Sequence, residues 1–295
     1  MKYLIIINPH SGKKIGKKIF DQIKPVFDSN HIMLEIIETK YSGHAKELAN
    51  QKPIDQYDGL IGIGGDGTLN EIINGMLKRK DEKNIPVGLI PGGSGNSYLH
   101  DLKLTNPINV VKKIINNNMQ LMDVAQVEIN GKISYSMNMI GWGLVTDIGN
   151  KAEKYRWLGT SRYTILSVIE VFTYNSRPAT LIMEKETIKD DFTFIIACNS
   201  KHIGNAMKMA PKAKLNDGLI DLIVVKSNVS RMRLLRTLPK LFDGSHLNQP
   251  EVSYYQTPYF SLIPKNDEIL NIDGEIMGKT PITVKMIQEK IKFFS

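Results

Sequence analysis

The first part of the chain alternates short apolar runs with longer stretches of mixed polarity. The apolar runs at residues 3–7, 32–38, 60–63 and 87–90 predict buried strands. The stretches near residues 13–27, near 43–51 and from Thr68 onwards predict helices. Strands and helices in alternation are typical of a parallel sheet covered by helices, and ligands of such sheets bind at the carboxyl ends of the strands.

Beyond about residue 121 the pattern changes to strands at short spacing. Residues 124–129, the turn Asn130-Gly131 and residues 132–140 predict a hairpin with a type I′ turn. Further strands are predicted at residues 179–184, 192–198, 219–225, 260–263, 269–272 and 282–286. Helical inserts are predicted near residues 157–174 and 229–242, so a β-rich second domain follows the first.

Composition narrows the range of partners. The 295 residues include 38 Lys and Arg against 30 Asp and Glu, and the net charge of +8 favours anionic partners. Nucleic acid is not expected, because the positive charge is dispersed and lacks interleaved aromatic residues. The single cysteine, Cys198, excludes an internal disulfide and a cysteine-rich zinc site. The single cysteine favours an intracellular reducing compartment, and no apolar stretch approaches about 18 residues, so we expect a cytoplasmic protein, with peripheral attachment to a membrane as one option.

Three loops at predicted strand ends carry residues suited to phosphate binding. They are Asn8-Pro9-His10-Ser11-Gly12, Gly64-Gly65-Asp66-Gly67-Thr68 and Pro91-Gly92-Gly93-Ser94-Gly95-Asn96. Exposed backbone N–H groups and the positive end of a helix attract phosphate oxygens, and glycine lets the backbone approach closely. Asp66 needs a separate explanation, because phosphates repel a carboxylate unless it binds a cation, accepts a proton or bonds a ribose.

Four motifs follow one another along the chain: Asn8-Pro9-x-Ser11-Gly12, the run from Gly64 to Glu71, the run from Pro91 to Asn96, and Asp273-Gly274-Glu275. In this order they resemble the diacylglycerol kinase and sphingosine kinase family of lipid kinases, nearly from end to end. The resemblance implies an α/β fold with a Rossmann-like, NAD-kinase-type nucleotide domain at residues 1–121 and a β-sandwich domain for the lipid at 122–280. The segment 281–295 would follow, with a return to the first domain as one option.

The same resemblance implies the activity and its partners. The protein would be an ATP-dependent lipid kinase with ATP and Mg²⁺ as cofactors and with its active site in the cleft between the domains. Its partners would be ATP, a lipid substrate at a membrane surface and, as one option, a second copy of the chain.

The phosphates of ATP would lie in the first two loops, and the purine would lie near Thr39 and the third loop. Arg156 and Arg162 belong to the segment 141–163, which resembles the sphingosine and ceramide kinase branch. Their guanidinium groups would neutralise charge on the transferring phosphoryl group. The implied nucleotide contacts are Asn8, Pro9, Ser11, Gly12, Thr39, Gly64, Gly65, Asp66, Gly67, Thr68, Asn70, Glu71, Gly93, Ser94, Asn96, Arg156 and Arg162.

The residue that accepts the proton of the lipid hydroxyl is left open between Asp66 and the acids Asp273 and Glu275, with Glu275 favoured. Asp147 is the implied substrate contact. Sphingosine kinases carry a second acid two positions later, which recognises the amine of the lipid, whereas this chain has Gly149 there. Ceramide, diacylglycerol or another neutral hydroxylated lipid needs no such acid.

The run Lys214-Leu215-Asn216-Asp217-Gly218-Leu219 matches the segment in which compact bacterial members of the family hold a structural Mg²⁺. The resemblance implies Asp217 as the side-chain ligand and Lys214 and Leu219 as carbonyl ligands. Asp123 would form a water-bridged link towards Asp66. Oxygen ligands with retained waters suit Mg²⁺. Without the resemblance, an Asp-Gly turn before a strand explains the same residues.

Two alternatives from other classes stay open. A soluble NAD kinase shares the Gly-Gly-Asp-Gly loop, and competition by NAD would discriminate it. A non-catalytic lipid or nucleotide sensor is disfavoured because Asp66, Asp273 and Glu275 are all present. The spacing Gly62-x-Gly64-x-x-Gly67 also fits the dinucleotide fingerprint, but it follows the third predicted strand rather than the first.

Overall fold

The structure is a computed structural model that describes residues 1–12, 14–93, 96–155, 161–204 and 207–295, with the backbone alone at residues 153 and 161–164. The described chain divides into two compact units. One unit comprises Met1–Asp123 and Gln288–Ser295, and the other comprises Val124–Ile287. No described helix has both the length and the apolar character needed to cross a bilayer.

The first unit is built on four parallel strands. Strand β1 (Lys2–Ile7) lies between β2 (Met33–Glu38) and β3 (Gly59–Gly64), and β4 (Val87–Pro91) pairs with the other side of β3. The helices of this unit are α1 (Gly16–Ser29), α2 (His44–Gln51), α3 (Asp66–Leu77), α4 (Ser97–Asp101) and α5 (Pro107–Ile115). The prediction of a parallel sheet covered by helices is confirmed.

Strands β1, β3 and β4 are buried almost throughout, which explains why they are continuous apolar runs rather than alternating ones. The C-terminal residues of the chain contribute to the same core. The ring of Tyr3 lies edge-on to that of Phe294 with centroids 5.9 Å apart, and Phe293 pairs in parallel with Val87.

Helices α2 and α3 pack unusually closely at Gly75. A Cβ atom on Gly75 would lie 2.3 Å from the carbonyl oxygen of Lys46 and 2.7 Å from the Cβ of Ala49. The carbonyl of Gly75 accepts a hydrogen bond from Nδ2 of Asn50 at 3.2 Å. This contact fixes the position of α3, the helix that begins at Asp66.

The second unit is β-rich. Its strands are β5 (Met119–Ile129), β6 (Lys132–Ser136), β7 (Met139–Gly143), β8 (Arg177–Met183), β9 (Thr187–Cys198), β10 (Ile220–Lys226), β11 (Val252–Thr257), β12 (Tyr259–Pro264), β13 (Ile269–Ile272), β14 (Glu275–Lys279) and β15 (Ile282–Phe294). β5 begins in the first unit and β15 ends there. The order β14-β13-β7-β9-β8-β12-β15 is antiparallel between neighbours, and β10 pairs with β9 and β11.

Among the described residues, three helices and two short 3₁₀ turns complete this unit. They are α6 (Leu144–Lys154), α7 (Ser161–Thr173), α8 (Arg231–Thr237) and the turns Leu238–Leu241 and Ser245–Asn248. Helix α6 and strands β11 and β14 were not predicted from the sequence. β11 and β14 lie at ends of the strand order and are partly exposed, so no apolar run marks them.

The predicted hairpin is correct in its turn and wrong in its second strand. Asn130 and Gly131 have φ angles of 49° and 71°, as a type I′ turn requires. The predicted strand 132–140 is interrupted at residues 137–138 and forms the separate strands β6 and β7. The interruption arises because the carboxylate of Asp273 accepts the backbone N–H groups of residues 137–139 at 2.9 Å each.

The substitution Gly75→Ala is expected to lower the free energy of unfolding by about 1–3 kcal/mol, because the added methyl group overpacks the contact between α2 and α3. Urea unfolding followed by circular dichroism measures this change. The matched control is Gly204→Ala, whose added Cβ meets no described atom within 4 Å and which should be neutral or slightly stabilising. Equal stabilities of the two variants would contradict the close packing.

Candidate active site

The loops that follow β3 and β4 are joined by backbone hydrogen bonds. The carbonyl of Gly64 accepts the N–H groups of Gly92 at 2.8 Å and of Gly93 at 3.1 Å. The side-chain amide of Asn96 donates to the carbonyl of Gly93 at 3.0 Å, which folds the β4 loop back on itself. These bonds hold the two glycine-rich loops against each other at the carboxyl end of the sheet.

The loop that follows β1 joins the same cluster. Nδ2 of Asn8 donates to Oγ1 of Thr68 at 3.3 Å, and the hydroxyl of Ser11 donates to the carbonyl of Gly92 at 3.0 Å. Oδ1 of Asn8 accepts the N–H of His10 at 3.0 Å, so the asparagine also shapes its own loop. The structure therefore brings all three predicted phosphate loops together in the first unit.

Glycine is required where β3 meets α3. A Cβ on Gly64 would lie 2.2 Å from Oγ1 of Thr68, so a side chain there would push the first turn of α3 away from the strand. Gly65 precedes α3, and no described side chain caps the helix. The first N–H groups of α3, which include that of Gly67, can therefore bind an anion. In the β1 loop, Gly12 has a φ angle of 56°, which favours glycine.

Asp66 is the first residue of α3, and its carboxylate is half-buried. Oδ2 accepts the N–H of Ser97 at 2.9 Å, and Oδ1 accepts the N–H of Tyr98 at 3.3 Å. The carboxylate thus ties the start of α3 to the start of α4 and has a fixed orientation beside the three loops.

Other predicted nucleotide contacts lie near the cluster or on its helix. Thr39 is buried at the end of β2, where its N–H donates to the carbonyl of Ile7 at 2.8 Å. Pro9 is half-buried in the β1 loop, directly after Asn8. Asn70 lies on α3, one turn beyond Asp66.

Glu71 has a different set of contacts. Its two carboxylate oxygens accept the N–H groups of Gly43 at 2.8 Å and of Ala45 at 3.1 Å. Both N–H groups lie at the start of α2, so Glu71 caps that helix from α3. Its carboxylate serves the packing of α2 on α3. Ser94, Arg156 and the side chain of Arg162 lie outside the described residues.

The two acids of Asp273-Gly274-Glu275 lie in different environments. Asp273 accepts the hydroxyl of Ser136 at 2.6 Å in addition to the three N–H groups of residues 137–139. Glu275 begins β14 and is exposed. The turn between them is held by Oδ1 of Asn271, which accepts the N–H of Gly274 at 2.9 Å. Asp273 therefore organises the backbone, whereas the carboxylate of Glu275 is accessible.

Asp147 lies on α6 in a charged cluster of the second unit. Arg177 contacts its carboxylate through Nη2 at 2.6 Å and contacts Glu268 through Nε at 2.9 Å. Burial raises the pKa of Asp147 and of Glu268 above their ordinary values, and the Arg177 guanidinium opposes both shifts. Asp147, Arg177, Lys151 and Glu170 line a cavity of about 390 Å³.

The position two residues after Asp147 is Gly149, and the side chain of Asn271 borders it. A Cβ on Gly149 would lie 2.7 Å from Nδ2 of Asn271, and its next neighbours would lie 3.9 Å away. A side chain at position 149 would therefore require the amide of Asn271 to shift, and Oδ1 of that amide holds the turn that precedes Glu275.

Asp217 forms the Asp-Gly turn that the sequence allows without a metal. Its Oδ1 accepts the N–H of Leu219 at 3.1 Å, and Gly218 has a φ angle of 74°. Asp123 belongs to the first unit, where it is buried and accepts the N–H of Glu289 at 2.7 Å. The described residues contain no group of three or more His, Cys, Asp or Glu that could hold a metal ion. A cation at Asp217 would therefore need carbonyl oxygens, such as that of Lys214, and water.

Asp221, next to this turn, is a buried acid whose charge its neighbours offset only in part. It is fully buried on β10, where Tyr254 and Gln256 both donate to Oδ1. Its Oδ2 is buried and has no hydrogen-bond partner among the described residues. Burial, helped by the negative charge of Asp217, raises the pKa of Asp221 to about 6, and the two hydrogen bonds and the positive charge of Lys212 oppose this shift. A cation near Asp217 would offset more of the charge, so the residues present fit one.

Sequence reasoning missed Arg177, Glu268, Asn271 and Asp221. For Asp221 a signal was present, because it is an acid inside the apolar strand Ile220–Lys226. The others gave no signal, because their roles depend on partners that are distant in the sequence.

Comparisons with known proteins agree with the geometry. Residues 2–127 match the diacylglycerol kinase catalytic domain, and residues 138–295 match the YegS C-terminal NAD kinase beta sandwich-like domain. Sphingosine kinase 1 of Arabidopsis thaliana is 32% identical, over 98% of this chain and 71% of its own length. The diacylglycerol kinase of Bacillus subtilis is 25% identical, over 94% of this chain and 90% of its own length.

A crystal structure of a diacylglycerol kinase from Bacillus anthracis has the same fold. It superimposes with a TM-score of 0.77 at 22% identity and covers 99% of this chain and 96% of that chain. The predicted fold class, a nucleotide domain of the NAD kinase type followed by a β-sandwich, is confirmed.

The substitution Asp273→Asn is expected to destabilise the second unit by about 1–3 kcal/mol, because the amide NH2 that replaces Oδ2 would face the N–H of Met137, which now donates to the carboxylate. Glu275→Gln is the matched control, since this neighbouring acid is exposed and its loss should change stability by less than about 0.5 kcal/mol. Thermal unfolding of both variants measures the difference. An unchanged midpoint for Asp273→Asn would contradict its structural role.

Proposed function

Because the chain belongs to the diacylglycerol kinase and sphingosine kinase family of lipid kinases, we propose that it transfers the γ-phosphoryl group of ATP to a hydroxyl of a lipid with an uncharged headgroup. The family and the kinase activity predicted from the four ordered motifs are confirmed. The single observation that carries the choice of acceptor is Gly149, which leaves this position without an amine-binding acid.

The phosphates of ATP bind where the three loops meet. The uncapped start of α3 offers N–H groups, and Asn8 and Thr68 can each donate one further side-chain hydrogen, while the hydroxyl of Ser11 holds the β1 loop against Gly92. We place the purine beside Thr39 and the β4 loop. Positioning and charge neutralisation supply most of the rate in phosphoryl transfer, so the rigid hydrogen bonds between the loops favour catalysis.

Glu275 is the proposed general base. Its carboxylate is exposed on a turn whose geometry is fixed by Asn271 and Asp273. It accepts the proton of the lipid hydroxyl as that oxygen attacks the γ-phosphorus. Asp273 is a positioning residue in this proposal, because it accepts four hydrogen bonds within the fold. Asp66 completes the nucleotide site, and Glu71 acts through the packing of α2.

The family uses ATP, and Mg²⁺ is the divalent cation we propose. Asp217 and the carbonyl oxygens of Lys214 and Leu219 would hold it. When bound, the ion supplies positive charge that offsets the buried carboxylates around it. Unchanged activity and Mg²⁺ dependence in Asp217→Ala would contradict this assignment.

The acceptor contacts the second unit near Asp147. The carboxylate of Asp147 is already bound by Arg177, so it can accept a hydrogen bond from a hydroxyl but lacks the uncompensated charge that favours an ammonium group. Ceramide and diacylglycerol fit this environment. A sphingoid base is the second candidate, and the observation that favours it is the 32% identity to a sphingosine kinase.

The lipid lies in a membrane, so we propose that the enzyme works at a membrane surface.

That the protein pairs with a second copy of itself stays a prediction. Sedimentation equilibrium tests this prediction.

The acceptor is tested by transfer of radiolabelled phosphate from ATP to mixed micelles of diacylglycerol, ceramide, monoacylglycerol or sphingosine, with NAD as a soluble acceptor and Asp66→Asn as the blank. We expect diacylglycerol or ceramide to be labelled. Labelling of sphingosine alone would favour the second candidate. Labelling of NAD alone, or ATP binding without transfer, would reject the lipid kinase proposal.

The substitution Glu275→Gln is expected to lower kcat by about 10²-fold or more, because general bases contribute about 10²–10⁴-fold. Its KM for ATP should change little, since the phosphates bind in the first unit. Steady-state kinetics with the preferred lipid measures both constants. A loss of less than about tenfold would exclude Glu275 as the base.

A further inference from the structure

Arg177 joins two acids of the second unit. Its Nη2 lies 2.6 Å from Oδ2 of Asp147, and its Nε lies 2.9 Å from Oε2 of Glu268. Nε and Nη2 are neighbouring donors on one edge of the planar guanidinium group. Such an edge often binds both oxygens of one carboxylate, whereas here it contacts one oxygen from each of two carboxylates. Asp147 and Glu268 therefore face a common point, which the positive charge of Arg177 occupies.

Three separate elements position this triad. Asp147 lies in the first turn of α6, Arg177 begins β8, and Glu268 directly precedes β13. The buried Thr280 holds the backbone of Glu268, because its Oγ1 accepts the N–H of Glu268 at 2.9 Å and its own N–H donates to the Glu268 carbonyl at 2.9 Å. We therefore expect both acids to keep their places when the guanidinium group is removed.

The two acids depend on the charge of Arg177. Burial raises the pKa of both carboxyl groups, and the negative charge of Asp147 adds to the shift at Glu268, while Arg177 opposes both shifts. Lys151, which lines the same cavity, forms its ion pair with Glu170 at 2.5 Å. Without Arg177, two carboxylates would face each other in a partly buried site, which is unfavourable unless a proton or another cation comes between them.

A ligand can reach this point from the cavity. Asp147 and Arg177 line the cavity of about 390 Å³, and the side chains of Asp147, Arg177 and Glu268 are all partly exposed. The triad is therefore not sealed within the core, as an ion pair that only joins elements of the fold could be. A headgroup in the cavity would meet a carboxylate pair whose charge the guanidinium group already offsets.

We propose that Arg177 determines which acceptor charge the site accepts, because its guanidinium group fills the position between Asp147 and Glu268 in which the ammonium group of a lipid would otherwise bind. An ammonium group has three donors and a compact charge, so two facing carboxylates suit it. Position 149 carries glycine, and Glu268 supplies the second acid from another element. The inference rests on the proposed lipid kinase function, which puts the acceptor near Asp147.

The test compares two acceptors that differ in one charge. Sphingosine carries an ammonium group, whereas N-acetylsphingosine has a neutral amide in its place and the same primary hydroxyl. The selectivity is the ratio of kcat/KM for sphingosine to kcat/KM for N-acetylsphingosine, in identical mixed micelles at pH 7. The unmodified protein should favour the neutral acceptor. In Arg177→Gln the ratio should rise about tenfold or more, because the ammonium group replaces the missing cation.

Three further variants separate the charge of Arg177 from the loss of its side chain. Arg177→Lys keeps a cation between the acids, so its ratio should stay within about threefold of that of the unmodified protein. Arg177→Gln/Glu268→Gln leaves one acid of the pair and should lose most of the gain. The matched control is Lys226→Gln, which removes the cation of the partly exposed pair with Asp190 in the same unit and should stay within about twofold.

Two kinetic results would overturn the inference. One is an unmodified protein that already prefers sphingosine. The other is a ratio in Arg177→Gln that stays within about twofold of the unmodified value, or that rises no further than in Lys226→Gln. If thermal unfolding shows that Arg177→Gln does not fold, Arg177→Met repeats the comparison, since it keeps the apolar stem of the side chain.

Binding of a small amine separates this inference from the proposed function, because it requires no phosphate transfer. Isothermal titration calorimetry at pH 7 compares n-octylamine, which is then an ammonium ion, with neutral n-octanol. Arg177→Gln should bind octylammonium about tenfold or more tightly than the unmodified protein does, and octanol binding should change little. This result in a protein that phosphorylates no lipid would reject the proposed function and keep the ammonium position. Phosphorylation of lipid with unchanged octylammonium binding in Arg177→Gln would reject the ammonium position alone.

Discussion

The proposed nucleotide site depends on the close approach of Thr68 to the end of β3, which a glycine at position 64 permits. With a Cβ there, the distance to Oγ1 of Thr68 would be 2.2 Å. The approach lets α3 begin directly after the strand and lets Asn8 reach Thr68 from the neighbouring loop. It also brings Asp66 to the first N–H groups of α4. Because Gly64 has no side chain, the loops after β1, β3 and β4 can contact one another, and the carboxylate of Asp66 has a fixed orientation.

A second carboxylate organises the other unit in a comparable way. Asp273 interrupts what would be one long strand and gathers four hydrogen-bond donors from residues 136–139. Two residues later, Glu275 is exposed on the turn that this arrangement fixes. The two acids of this short motif thus differ: Asp273 positions the backbone, and Glu275, the proposed general base, is exposed.

The sequence was sufficient for the features that depend on local pattern. Strands β1, β3 and β4 are buried on both faces, so their apolar runs predict them directly, and the glycine motifs mark the loops between strand and helix. It was insufficient where a distant residue decides. The interruption at Met137 is caused by Asp273, 136 positions away, and Glu71 caps a helix that begins 26 to 28 positions before it. Neither partner can be identified from the spacing of apolar residues.

The central claim is that the three joined loops bind the phosphates of ATP. Amide hydrogen exchange, followed by mass spectrometry with and without a non-hydrolysable ATP analogue, tests it most directly. The account predicts slower exchange in peptides covering residues 8–12, 64–68 and 93–97, with no change in β8 or β9. Saturating binding of the analogue with protection confined to other segments would contradict it.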